Sequence, residues 1–252
     1  NRNWHPLLPD VLQQMAEEGK RSAVGCLELA SASYSGCRQY LEDIQRARQQ
    51  VGPDAPQVDK LRLFYNHPGF IEPMAERVAG ALEAIPAHRR PAARLIYTAH
   101  SIPLAMAGNC AYVEQLQEAC RLVSERVQRD RWDLVYQSRS GPPAQPWLEP
   151  DIGDFLCELS GAGGVTDVVI VPIGFLSEHM EVVYDLDIEV AGLCEQLSLN
   201  MIRSPVVGCH PRFVTMIGEL IQERIDADPT RLVLGSRGPS PDVCPPDCCR
   251  PR

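Results

Sequence analysis

The chain has 252 residues, 44% hydrophobic and 23% charged, proportions that support a packed core and exclude a disordered or fibrous protein. Its 24 Lys and Arg against 33 Asp and Glu leave a net charge of −9, which argues against a nucleic-acid binder, whose affinity rests on clustered cations. No apolar run reaches the roughly 18 residues that mark a membrane span. The first residue is Asn and no charged-then-apolar leader follows, so the expectation is a piece of a longer, cytoplasmic chain.

Short apolar runs alternate with longer amphipathic ones. A strand is predicted over 23–29 and a helix over 37–51, then a strand over 61–65 and a helix over 71–85. A Pro-rich joint at 85–91 follows. Beyond it come a strand over 93–98, a helix over 112–128, a strand over 133–136 and a helix over 152–159. The clearest buried strand is 165–173 (VTDVVIVPI), and the longest helix is 178–197; a strand at 200–203 and a helix at 212–225 finish the pattern. Apolar strands separated by helices predict an α/β fold with parallel sheets covered on both faces. Two doubly wound, Rossmann-like units are expected: 1–90, incomplete with two strands, and 91–236, followed by a Cys-rich, irregular tail over 237–252.

In open parallel sheets, ligands collect outside the carboxyl ends of the strands. Three segments lie there: Thr98-Ala99-His100-Ser101-Ile102-Pro103; Tyr136-Gln137-Ser138-Arg139-Ser140-Gly141 with Trp147-Leu148-Glu149-Pro150; and Gly174-Phe175 through Glu178-His179-Met180-Glu181. Along the predicted helix 178–197, Val183, Leu186, Val190, Leu193 and Leu197 form an apolar stripe. Glu178, Glu181, Asp185 and Glu189 form an acidic one, and no Lys or Arg within the helix offsets it. Such a row reads either as a solvated face or as a relay for a divalent cation, which prefers oxygen donors. His100 reads either as a hydrogen-bonded structural residue or as a base or metal ligand. His67 and His210 read as structural, with His210 capping the helix after Pro211.

Ten cysteines are too few for a disulfide scaffold. Seven are scattered and three crowd the last nine residues, which predicts a reducing compartment and one special thiol site.

Taken together, these segments resemble ferrochelatase, the family that inserts ferrous iron into a porphyrin in haem synthesis, and the resemblance runs over essentially the whole chain. It implies a chelatase-like fold, Fe²⁺ and a porphyrin as substrates, and catalytic roles for His100 and Glu181. His100, Glu181, Glu178, Asp185 and Glu189 would handle the incoming metal; Trp4, Tyr136, Gln137, Ser138, Arg139, Phe175 and His179 would contact or border the macrocycle. Metal insertion must remove two N–H protons and strip water from iron, so bases near the ring and oxygen donors along the route make chemical sense. The opening Arg2-Asn3-Trp4-His5-Pro6 resembles an internal family segment, which implies an upstream strand, helix and porphyrin-gripping lip. Many members hold a [2Fe–2S] cluster on three C-terminal cysteines and one internal cysteine, here Cys244, Cys248, Cys249 and Cys37; structural zinc is the competitor. Protoporphyrin IX and coproporphyrin III both stay open, as do a cobalt or siroheme-type chelatase and a non-catalytic metal- or haem-binding module.

Overall fold

The computed structural model describes residues 3–142 and 144–250. The elements in chain order are α1 (Leu8–Glu17), β1 (Ser22–Gly25), a π turn (Tyr34–Arg38), α2 (Gln39–Val51), β2 (Gln57–Lys60) and α3 (Pro68–Glu83). A 3₁₀ turn (Arg90–Ala92) leads to β3 (Arg94–His100), α4 (Leu104–Ala107), α5 (Tyr112–Arg126), β4 (Trp132–Gln137), α6 (Ile152–Ala162) and β5 (Asp167–Val171). Then follow α7 (Met180–Tyr184), a π turn (Asp185–Val190), α8 (Ala191–Gln196), β6 (Asn200–Arg203) and α9 (Pro211–Ile225).

All strands pair in parallel: β1 with β2 in one sheet, and β4-β3-β5-β6 in the other. Side chains alternate across the larger sheet, as a pleat requires. Leu95, Tyr97, Ala99, Val169 and Val171 enter one core with α3, α5 and α9, while Ile96, Val135, Val168 and Ile170 enter another beneath α6, α7 and α8. The sheet is therefore covered on both faces, the α/β doubly wound arrangement. Helix α3 lies before the Pro-rich joint, yet it packs on β5, β6, α5 and α9. Ala30, Leu61, Phe64 and Tyr65, from the segments that follow β1 and β2, join the same core.

Several helices start where their sequence supplies a cap. His67, Asp151 and His210 each accept a backbone N–H two residues on, from Gly69, Gly153 and Arg212, and Pro68 and Pro211 open their helices with the fixed φ that position favours.

Three expectations shift. The apolar run 61–65 is not a strand: β2 ends at Lys60 because its partner β1 ends at Gly25, and the ladder closes with the Leu61 N–H on Gly25 O at 3.0 Å. Residues Leu61, Leu63, Phe64 and Tyr65 are buried outside any strand. Helix α1 was not signalled, since it buries only Leu12 fully. The helix over 178–197 is broken by the π turn. A π turn closes i→i+5 bonds and so takes in an extra residue; the buried positions accordingly become Val182, Leu186, Val190 and Cys194, and Val183 is turned to solvent.

Candidate active site

Strand β3 ends on His100, between β4 and β5, where the order of connection reverses. The chain leaving β5 returns to this point: the Gly174 N–H donates to Thr98 O at 3.1 Å. A Cβ on Gly174 would lie 2.7 Å from Ala99 Cβ, so only glycine lets the two strand ends approach this closely. Beside them opens a cavity of about 400 Å³, within the usual range for a small-molecule site. It is lined by His100, Ser101, Met106, Tyr112, Trp147 and Gly174 on one side and by Ala30, Ser31, Ser33 and Ser35, from the segment between β1 and α2, on the other. The lining is mainly apolar with hydroxyls on one side, and the buried Trp147 Nε1 has no hydrogen-bond partner.

The geometry of His100 determines its chemistry. Its Nδ1 lies 2.5 Å from Ser101 O, an atom that only accepts, so Nδ1 carries the hydrogen. In the tautomer this selects, the lone pair is at Nε2, and Nε2 faces Glu181 Oε2 at 3.8 Å. That gap is too long for a hydrogen bond and leaves the two groups open to a third atom. The strand end is held by the Tyr112 hydroxyl, which donates to His100 O at 3.0 Å, and by the Ser101 N–H on Gln137 O at 2.8 Å.

Behind Glu181 the carboxylates continue. Gln137, 1% exposed, donates through Nε2 to Glu181 O at 2.6 Å and to Asp185 Oδ2 at 3.3 Å. Ser138, at φ 59°, donates its hydroxyl to the same Asp185 oxygen. Asp185 and Glu189 line a second cavity of about 170 Å³ with Gln137, Ser138 and Asp151. The structure therefore groups Asp185 with Glu189 behind the His100–Glu181 pair. It draws Glu178 elsewhere: Arg203 donates to it at 3.1 Å, as does the Val206 N–H at 3.2 Å, and Arg203 also holds Asp187. A cation from β6 thus offsets the acidic helix that carries none of its own. Among the described residues, no group of His, Cys, Asp and Glu has a preformed metal-holding arrangement.

The expected macrocycle contacts disperse. Gln137 is buried against α7 and its amide is committed to the backbone there. Phe175 is buried in the core under α6 and α7, its ring edge-on to His179 at 5.4 Å, while His179 is exposed. Tyr136 and Arg139 line a neighbouring cavity of about 430 Å³, and burial pushes the Tyr136 phenol up to about 12. Ser138 borders the carboxylate cavity, and Trp4 is 76% exposed. The hydroxyl wall of Ser31, Ser33 and Ser35 was not anticipated; its only signal was the run of small polar residues between β1 and α2.

The four expected thiols converge. The π turn carrying Cys37 is capped by Ser33, and it buries Cys37 against Ala32, Leu63 and Cys249, with Cys110, Cys244 and Cys248 packed around them. Cys37 hydrogen-bonds Cys244, which also hydrogen-bonds Cys248, and Cys248 Sγ lies 3.3 Å from Cys249 Sγ. All ten cysteines are free thiols. The hydrogen bond from Cys37, against burial but aided by the charges of Lys60 and Arg38, brings Cys244 down to about 6, whereas the partner thiol of Cys37 is pushed up. The tail carrying these thiols is irregular but anchored: Arg38 donates to Pro246 O at 2.5 Å, and Asn66 donates to Gly238 O at 2.8 Å.

Known proteins share both sequence and fold with this chain. Residues 1–225 match the ferrochelatase family. A ferrochelatase of Rhodopirellula baltica is 50% identical over 250 residues, covering 99% of this chain and 71% of that protein. A coproporphyrin III ferrochelatase of Frankia alni is 45% identical over 263 residues, covering 100% and 68% respectively. Among solved structures, SirB from Bacillus subtilis with Fe³⁺ superposes with a TM-score of 0.59 at 14% identity, over 87% of this chain and 78% of that one. CbiX, the terminal enzyme for siroheme biosynthesis in denitrifying bacteria, does so with 0.51 at 15%, over 85% and 79%. These structures share the chelatase-like α/β fold. With a family match over most of its length, the chain belongs to the ferrochelatase family, enzymes that insert iron into a porphyrin in haem biosynthesis.

Proposed function

We propose that the porphyrin is coproporphyrin III, and that His100 Nε2 accepts the pyrrole protons while Glu181 faces it across the metal's path. The observation that carries this reading is the 3.8 Å opposition of His100 Nε2 and Glu181 Oε2 beside a cavity of about 400 Å³. A neutral imidazole with its lone pair outward is a base competent at neutral pH. Asp185 and Glu189 continue the route as oxygen donors suited to hydrated Fe²⁺, and as acceptors for the two released protons. Glu178 serves mainly to fasten α7 to β6 through Arg203. The choice of coproporphyrin III is supported by the Frankia alni relative, which carries that substrate in its name. The test is porphyrin fluorescence lost on anaerobic Fe²⁺ addition, with coproporphyrin III and protoporphyrin IX compared on the full chain. Faster turnover of coproporphyrin III is expected; a preference for protoporphyrin IX would overturn the choice.

The second part of the reading is a [2Fe–2S] cluster on Cys37, Cys244, Cys248 and Cys249. Its support is the donor set: four free thiols in mutual contact, two of them buried, beside the cations of Lys60 and Arg38. When bound, such a cluster ties the tail to the body through iron–thiolate bonds and adds a redox centre. Anaerobically purified protein is expected to be brown and to contain iron and acid-labile sulfide; a colourless protein with stoichiometric zinc would overturn this. Ten free thiols support a reducing compartment, hence the cytoplasm. No helix among the described residues is long and apolar enough to cross a membrane.

A further inference from the structure

Two thiols are neighbours both in sequence and in space: Cys248 Sγ lies 3.3 Å from Cys249 Sγ. In extended backbone successive side chains point to opposite sides; here a turn brings the two sulfurs together. The Cys248 N–H closes that turn on Pro245 O at 3.0 Å, and Cys249 follows at φ 55°, in the left-handed region that side chains rarely adopt. Arg38 fastens the turn from the body of the fold, donating to Pro246 O at 2.5 Å and to Cys248 O at 3.4 Å. The two sulfurs differ in access. Cys249 is 2% exposed and packed with Ala32, Cys37 and Leu63, whereas Cys248 is half-buried. An accessible thiol beside a sheltered one is the arrangement in which a first oxidation is resolved by the neighbour.

We propose that Cys248 and Cys249 form a reversible disulfide when peroxide reaches the metal-free chain. The Cys248 sulfur attacks one peroxide oxygen, the O–O bond breaks, and the thiol proton leaves with the expelled hydroxyl as water, giving a sulfenic acid. The Cys249 sulfur then attacks that sulfur, the S–O bond breaks, and its proton leaves with the hydroxyl as a second water. Two thiols are oxidised and one peroxide is reduced. Adjacent Cα atoms lie about 3.8 Å apart across a trans peptide, below the roughly 4.4 Å at which ordinary disulfides begin. The closed ring is therefore strained, and cellular thiols reopen it. Closing it occupies two of the four sulfurs assigned to the cluster, so the oxidised chain is shut to loading. That consequence rests on the cluster reading above; the disulfide itself does not.

The experiment strips the full, anaerobically purified chain with a chelator, adds hydrogen peroxide, blocks the remaining thiols with iodoacetamide and maps the digest by mass spectrometry. A peptide holding both Cys248 and Cys249 is expected to have lost two hydrogens, and reduced glutathione is expected to restore them. In Cys249→Ser the sulfenic acid at Cys248 is expected to persist and to be trapped by dimedone. Linkage of either residue to Cys37, Cys110 or Cys244 would overturn the pairing, as would oxygen added at Cys248 of the parent with no loss of hydrogen. A bond that glutathione leaves closed would overturn its reversibility. The consequence for loading is read separately, from the iron and sulfide taken up by the reduced and the oxidised chain. Uptake by the reduced chain alone is expected. Equal uptake by both overturns the block on loading, and uptake by neither overturns the cluster reading while the mapping still decides the disulfide.

Discussion

The carbonyl of Ser101, the next residue, fixes which ring nitrogen of His100 carries a hydrogen, and a similar economy recurs at Gln137. The side chain of Gln137 bonds the helix bearing Glu181, while its backbone carbonyl bonds Ser101, next to His100. It thereby ties the strand end that carries His100 to the helix that carries Glu181. Gln137→Ala leaves the Glu181 carbonyl without its donor and is expected to cost about 1–3 kcal/mol of stability. Steady-state kinetics should show kcat reduced with the porphyrin KM little changed; a purely structural role would leave kcat per folded molecule intact. His67 is held neutral by its surroundings. Burial, with Arg62 and Arg212 nearby, lowers it from 6.5 to about 3. The unfolded chain therefore binds a proton that the folded chain refuses, so stability falls as pH drops from 6.5 towards 3. His67→Asn keeps a capping acceptor for Gly69 and is expected to flatten that acid limb in urea titrations; an unchanged slope would remove His67 as its source.

At the scale of the element, the segment from Met180 to Gln196 shows how a local irregularity serves a site. Val182, Leu186, Val190 and Cys194 stay buried at a spacing of four, which a regular helix would let drift by about 40° at each step. The π turn over Asp185–Val190 absorbs that drift and keeps Asp185 and Glu189 on the cavity beside Gln137. Deleting Asp187 from the turn is expected to lower the melting temperature and abolish metal insertion together. Retention of both would mean that the turn has no bearing on the site. This irregularity was not legible in the sequence, because reading apolar stripes presumes a period of 3.6. Strand β5 was legible because all five of its residues are buried and four are β-branched, as a central parallel strand demands. The run 61–65 was equally apolar and failed as a strand, since burial alone does not reveal whether a partner continues alongside. For the site, the rule of carboxyl-terminal strand ends was enough to find His100. It could not tell that the ring of Phe175 turns into the core, because side-chain direction depends on packing across elements far apart in sequence.

At the scale of the molecule, the irregular tail is a working part of the fold. From Arg231 onward it is tied to segments far back in the chain: Leu232 O accepts from Arg62, the Leu234 N–H donates to Asn66 O, and Arg237 pairs with Glu114. It thereby brings Cys244, Cys248 and Cys249 to Cys37, which lies just past the serine wall of the cavity. Removing residues 241–252 is expected to destabilise the chain and to expose Cys37 to thiol reagents; an unchanged melting temperature would show the tail to be only draped on the surface. The cavity is lined by residues from before and after the Pro-rich joint, and the catalytic proposal concerns the groups on one side of it. The most direct test follows porphyrin fluorescence on Fe²⁺ addition for the full chain, His100→Ala and Glu181→Gln, with Ser33→Ala as a control for the opposite wall. Loss of a positioned base costs about 10²- to 10⁴-fold, so both site variants are expected to fall at least that far while Ser33→Ala retains turnover. Parent-level metal insertion by His100→Ala would contradict the assignment.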